Sequence, residues 1–241
     1  MAAQSVAGAG ALQHDRILPE EGGNLFVKVA ILGAGGLGKV MLEAIQAEGK
    51  HSVAGFLDDQ VRDQFCALPI LGPLASLAGL RRRKISGVAL AIGDRFLKVR
   101  LDLIATIWSS GLRAINVVHP TAWISPSSRL GQGLYIGPHV VIHAGASIAD
   151  YCVIWSGSVI EHDVRLDENV FVASSVSLAG YTEVGRDTFV GIGAVLMRSR
   201  IGESATIAAG SLVTKDVTAK TVVMGCPARA VGRKRAVAYH S

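Results

Sequence analysis

A period of six governs the C-terminal half of this chain. Stepping by six from Val118 meets Ile124, Leu130, Ile136, Ile142, Ile148, Ile154, Ile160, Leu166, Val172, Leu178, Val184, Val190 and Leu196, so all fourteen positions are Val, Ile or Leu. These types fill roughly a quarter to a third of an ordinary chain, which makes such a run negligible as chance. After Leu196 one step shortens to five, and Ile201, Ile207 and Val213 resume the series. The position four after each anchor is restricted too, often to small or β-branched residues such as Ala146, Cys152, Ser158, Thr182 and Ala194. Gly recurs just after the anchor at Gly131, Gly137, Gly185, Gly191 and Gly202. Neither a helical period of about 3.6 nor plain alternation gives this pattern. A three-sided solenoid does: three six-residue faces per coil, an aliphatic anchor inward on each, a small residue near each corner.

Residues 27–117 read differently. VKVAILG (27–33) is an apolar run ending in GAGGLG, followed by a helical stretch from Lys39 to Gly49. Strands are expected at SVAGFLDD (52–59) and VALAIGD (88–94), a helix over 95–110, and a last strand at 113–118. Alternating strands and helices predict a small parallel α/β sheet. Gly33, Gly35 and Gly38 fit G-x-G-x-x-G between a strand and a helix, and Asp58 and Asp59 close the next strand about 20 residues on. Glycines there let phosphates approach the backbone at a helix N-terminus, and an acid can grip a ribose. An NAD-linked oxidoreductase would use the same loop. The stretch is short for the usual two-halved dinucleotide fold, however, which favours nucleotide binding of another kind.

Composition narrows the function classes. Half the residues are hydrophobic but aromatics are only 5%, so the core is aliphatic. The balance of 24 basic and 19 acidic residues suits a phosphate-bearing ligand and is too weak to argue for nucleic acid. Cys66, Cys152 and Cys226 are scattered and form no CxxC, so neither a disulfide framework nor a metal site is expected. No apolar run reaches the roughly 18–20 residues of a membrane span. Residues 1–24 lack a basic start and read as a disordered extension, with a cytoplasmic location expected.

The six-residue period resembles the hexapeptide repeat of bacterial acyltransferases. The order of parts is similar to one group among them, the sugar N- and O-acyltransferases that include enzymes acetylating nucleotide-linked 4-amino-4,6-dideoxy sugars. The stretches VAILGAGGLG, FLDD, AIGDR, VVHPTAWISPS, VIEHDVRL and MGCPARAV carry the resemblance, over roughly residues 27–230. It implies a Rossmann-like nucleotide-sugar-binding domain at 25–117, a left-handed parallel β-helix acyltransferase domain at 118–230 and a basic tail at 231–241. It further implies acetyl-CoA as acyl donor, no metal, a UDP- or GDP-linked amino sugar as acceptor, and a homotrimer with the acyl donor between neighbouring helices.

Acetyl transfer to an amine needs a base and donors for a developing oxyanion. Of the seven His, His162 stands apart because Glu161 and Asp163 flank it. The resemblance selects the same residue as general base, with Asp163 as the acid that orients it; Glu161 is the rival orienter. A surface His in an acidic turn is the plain alternative. One coil is 18 residues, so position 180 stacks on 162, and it is Gly180. A Gly beside the base leaves room for a thioester and exposes a backbone N–H, and the resemblance implies the same contact with the acyl carbonyl. Ile192 and Gly210 match positions along the family's pantetheine path.

Two departures from the family pattern stand out: Phe171 occupies the place of a second His that contacts the acyl group in some relatives, and Leu37 the place of a loop His. Arg229, Arg233, Lys234 and Arg235 form a basic cluster suited to the phosphates of coenzyme A, a basic tail with no partner being the plain alternative. The same scaffold could acylate a hydroxyl, as sialic acid O-acetyltransferase relatives do, or serve as a non-catalytic assembly subunit. A lost base would mark the last case, and His162 is present within its full motif.

Overall fold

The computed structural model describes residues 26–93 and 97–233. The expected N-terminal extension at 1–24, His14, His240, Lys234 and Arg235 lie outside the described residues, as does the side chain of Arg233. The N-terminal part is a six-stranded sheet built from β1 (Lys28–Leu32), β2 (Ser52–Leu57), β3 (Gln64–Phe65), β4 (Leu68–Gly72), β5 (Gly87–Leu90) and β6 (Arg113–Ala114). Their spatial order is β3-β4-β2-β1-β5-β6, with every pair parallel except the β3–β4 hairpin. Helix α1 (Gly36–Glu48) covers one face; helix α2 (Leu97–Ser110) and a 3-10 helix (Leu74–Arg83) cover the other. Strand β1 is apolar almost throughout because helices bury it from both sides.

The sequence reading differs from the structure in three places. The first helix begins at Gly36 rather than Lys39, since the glycine loop feeds directly into its first turn. The expected strand 113–118 splits in two. Asn116 interrupts it, its amide donating to the Gly131 carbonyl and accepting from the Leu134 N–H, so that Val117–Val118 joins the coils. The β3–β4 hairpin and the 3-10 helix have no clear periodic signal and were not anticipated.

From Val117 the chain winds as a parallel β-helix of two-residue strands. Tyr135 pairs with Val153, Val141 with Val159 and Ser147 with Arg165, each 18 residues apart, giving three flat faces. Beyond the five-residue step the spacing drops to 17, as in Glu183 with Arg200 and Leu196 with Val213. The anchors form one continuous core, and the small residues four positions on are inward as well: Ala146, Cys152 and Ser158 are fully buried. The interior of so narrow a prism has room for one large and one small side chain per face. Burial pushes the Cys152 thiol up to about 12. A hairpin, Thr221–Gly225 with Ala228–Arg233, extends the first face antiparallel.

Helix α1 packs on that first face, where Met41 and Ile45 share a core with Val117, Tyr135 and Val153. On the other side of the sheet Arg100, only 2% exposed, ties the two parts together. Its guanidinium donates to the Ile92 carbonyl at 2.8 Å, the Tyr151 carbonyl at 2.5 Å and Asn169 Oδ1 at 2.5 Å. Asn169 in turn donates to Asp187 one coil later, at 2.7 Å. Removing the donor leaves buried acceptors unmatched, so Arg100→Leu should cost about 3 kcal/mol of stability in urea titration. A loss within about 0.5 kcal/mol would class it with ordinary surface changes.

Candidate functional site

The residues expected to form the site fall into two sets. The first lies at the C-terminal ends of β1, β2 and β5, where the order of strands reverses about β1 and open α/β sheets form a crevice. Gly33 has φ +111°, and a Cβ there would sit 2.8 Å from the Ala91 carbonyl oxygen. At Gly38 a Cβ would overlap the Gly33 carbonyl, whereas Gly35 faces open space. The loop thus presses tightly on its own sheet and leaves its outer side clear.

Asp58 holds that loop. Its Oδ2 accepts the Ala34 N–H at 2.7 Å, and its Oδ1 accepts the N–H groups of Gln60 and Val61 at 2.8 Å. Partial burial pushes its carboxyl up, but these three donors outweigh it and hold the group below the usual carboxylate range. Asp59 Oδ1 accepts the Leu74 N–H at 2.9 Å, starting the 3-10 helix, and the residue borders a cavity of about 260 Å³ with Leu74, Val99 and Leu103. Leu37 is buried in the core under α1.

The second set lies on the edge between the second and third faces of the β-helix. His162 Nδ1 is 3.0 Å from Asp163 Oδ2, with the imidazole side chain 53% exposed. Of the two flanking acids only Asp163 reaches the ring; Glu161 approaches His143 Nε2 at 3.9 Å instead. With Nδ1–H donated to Asp163, Nε2 keeps its lone pair, the tautomer a general base uses. Gly180 is directly above: a Cβ there would lie 2.6 Å from Cε1 and Nε2 of His162. The space expected for a thioester is therefore first of all the space the imidazole itself occupies. The N–H groups on either side of Gly180 donate to Leu196 and His162 carbonyls, with the Gly180 N–H between them.

Ile192, 61% exposed, and Gly210, at φ +66°, sit on the opposite edge of the second face, and the Gly210 N–H donates to the Ile192 carbonyl at 2.8 Å. Val195 and Met197 are exposed across the same face. Phe171 is on the first face, packed with Trp155 and stacked on Phe189, and one chain does not bring it to the His162 edge. Sequence reading passed over Tyr181, which packs against His162, and Arg198, which lies over the Tyr181 ring. Eighteen-residue stacking applied to Asp163 would have found Tyr181.

Among the described residues no His, Cys, Asp or Glu group is arranged to hold a metal, and no helix is long and apolar enough to cross a membrane. A small parallel α/β sheet joined to a left-handed parallel β-helix is the architecture of an acyltransferase. Residues 28–104 match the PglD N-terminal domain family. PerB from Caulobacter crescentus, solved in complex with CoA and GDP-perosamine, is 33% identical with a TM-score of 0.80, covering 85% of this chain and 97% of that one. The acetyltransferase domain of PglB from Neisseria gonorrhoeae is 28% identical with a TM-score of 0.80, covering 85% and 99%. Carnitine operon protein CaiE from Escherichia coli K12 is 36% identical over 135 residues, 48% of this chain and 67% of its own length. The chain belongs to the hexapeptide-repeat sugar N-acetyltransferase family.

Two measurements check this geometry. Gly180→Ala should fold normally by circular dichroism yet lose about 10²-fold in turnover, because the new methyl displaces the imidazole. A folded Gly180→Ala protein with full turnover would mean the ring can move without consequence. Asp58, with its folded pKa depressed, contributes stability that is present above its unfolded value of 3.8 and lost as pH falls through the folded value. Asp58→Asn should therefore flatten the acid-side fall in stability below about pH 4. Identical pH profiles for the two proteins would remove Asp58 from the account.

Proposed function

We propose that this sugar acetyltransferase moves an acetyl group from acetyl-CoA to the 4-amino group of a UDP- or GDP-linked amino-dideoxy sugar, with His162 as general base. The observation that carries the reading is the His162–Asp163 pair at 3.0 Å beneath Gly180. PerB supports the substrate class, being a relative of similar length solved with CoA and GDP-perosamine.

In this reading the glycine loop at Gly33, Gly35 and Gly38 takes the diphosphate against the start of α1. Asp58 shapes that loop through its bond to Ala34, and Asp59 meets the nucleoside at the cavity it borders. The acetyl thioester runs along the second face past Gly210 and Ile192 to Gly180. His162 Nε2 removes the proton from the amine as its nitrogen attacks the thioester carbon. Asp163 steadies the imidazolium, and the Gly180 N–H faces the developing oxyanion. Collapse expels the thiolate of coenzyme A, which takes up a proton, and leaves the amide.

The acceptor and donor sites are supplied by different copies of the chain. The nucleotide loop belongs to the part that covers the first face, while His162 is on the edge between the other two. Neither the 260 Å³ cavity beside Asp59 nor a concavity of about 670 Å³ on the third face includes His162. A homotrimer built through the β-helices would meet this need, with Phe171 of one copy lining the groove of another. The region 25–117 then serves as the acceptor domain and 118–230 as the transferase domain.

The test is coenzyme A release with UDP- and GDP-linked 4-amino sugars, and free or hydroxyl-bearing sugars as controls, on a sample sized by sedimentation. A trimer active on one linked amine is expected. His162→Ala should lower kcat about 10²–10⁴-fold without loss of assembly, because position 162 is not an inward anchor. Asp163→Asn should cost less, since it only supports the base. Near-normal turnover by an assembled His162→Ala trimer would move the chemistry elsewhere in the groove, His143 being the next residue to test.

A further inference from the structure

The repeat is broken by one residue two coils above the base. The corner Met197–Ser199 is one residue shorter than the corner 179–182 beneath it, and the coil spacing changes there from 18 to 17. In this shortened corner the Arg198 guanidinium carbon lies 4.9 Å from the Tyr181 ring centroid. Tyr181 in turn meets the His162 imidazole edge to face, with centroids 5.1 Å apart and planes at 87°. We propose that Tyr181, held by Arg198, is a positioning residue that confines the His162 imidazole to its catalytic orientation. This rests on the reading of His162 as the base.

Three observations support the assignment. An imidazole 53% exposed, joined through Nδ1 to a carboxylate that is itself 47% exposed, has little else to hold it. Gly180 prevents a clash on one side of the ring but offers no side chain to fix it. Tyr181 supplies that wall, and edge-to-face packing of aromatic rings is attractive beyond the area it covers. Arg198 then fixes the wall through the face of the phenol ring.

The backbone adds an independent argument. From Gly133 to Gly210 each corner places one residue at positive φ, and Gly occupies that place at Gly133, Gly145, Gly157, Gly193 and Gly210. Tyr at φ 63° is unfavourable there, as it is for any bulky side chain. Tyr151, the other tyrosine in this conformation, is offset by burial at 3% exposure against Trp108. Tyr181 is 52% exposed and gains no such burial. What it gains is contact with His162 and Arg198, so its side chain is explained by the base and not by the fold.

The decisive set is Tyr181→Gly, Tyr181→Phe and Arg198→Ala, assayed as a trimer with the linked amino sugar found active. Glycine relieves the backbone, so Tyr181→Gly should keep or raise the melting temperature. Its kcat should nevertheless fall about tenfold, with KM for acetyl-CoA within about twofold of the parent. Tyr181→Phe keeps the ring and should restore turnover. Arg198→Ala should lower kcat in the parent and have no effect in Tyr181→Gly, since the two act as one unit. Carbethoxylation of His162 by diethyl pyrocarbonate, followed by mass spectrometry, should quicken in Tyr181→Gly and not in Tyr181→Phe. Unchanged kcat and unchanged modification in Tyr181→Gly, with His162→Ala inactive, would overturn the positioning role alone. An active His162→Ala trimer would overturn the base and this inference together.

Discussion

Every feature of the transferase part depends on one stacking constraint. Parallel strands separated by about 4.8 Å must be hydrogen-bonded coil upon coil, and the interior between them is only two side chains wide. That narrow prism demands an aliphatic anchor on each face at every step, as in Ile142, Ile160 and Leu178 along the second face. It also favours a small or β-branched partner four residues later, and most corners turn through a left-handed residue. The cost of those turns is spread over Gly, Asn, Asp and Ser, and only a few bulky residues accept it. Because the coils are so regular, side chains 18 residues apart fall into vertical rows. His162 and Gly180 form one such row, and the spacing that stabilises the solenoid also sets the distance between the imidazole and the backbone beside it.

The α/β part does a different job through a different kind of contact. It covers the first face of the solenoid with α1 and anchors itself on the other side through buried Arg100. The anchoring carbonyl of Ile92 follows β5, at the same sheet end that carries the glycine loop. The orientation of the nucleotide crevice relative to the coils is therefore held by a few strong, directional bonds as well as by apolar packing. A change at Arg100 bears on the placement of the glycine loop without touching it.

The position of the two sites on separate faces has a mechanistic consequence. A single chain holds His162 apart from the glycine-loop crevice. Exposed Trp123, Ile192, Val195 and Met197 lie along the second face of the coils. In the trimer proposed above, association through the coils would cover that apolar surface and bring the two sites together, so assembly and activity are expected to rise and fall together.

Much of this was legible beforehand. The anchor series determined the solenoid, its three faces and the stacking of 180 on 162, because a strict period leaves a backbone no alternative way to bury those residues. The glycine loop and β1, β2 and α1 were equally readable, since tight turns and doubly covered strands have local signatures. Tertiary structure alone decided the rest. It gave Asp163 and not Glu161 to the imidazole, because the corner turns one carboxylate along the ring and sends the other to His143. It bound Asp58 to the backbone of the loop that the sequence had only placed nearby. It set Phe171 on a face away from His162, and it laid Arg198 over Tyr181 through a one-residue gap that in sequence is only a missed beat. Periodicity specifies which face a residue occupies; the direction of a polar side chain at a corner depends on neighbours one coil away, and those meet only when the solenoid has closed.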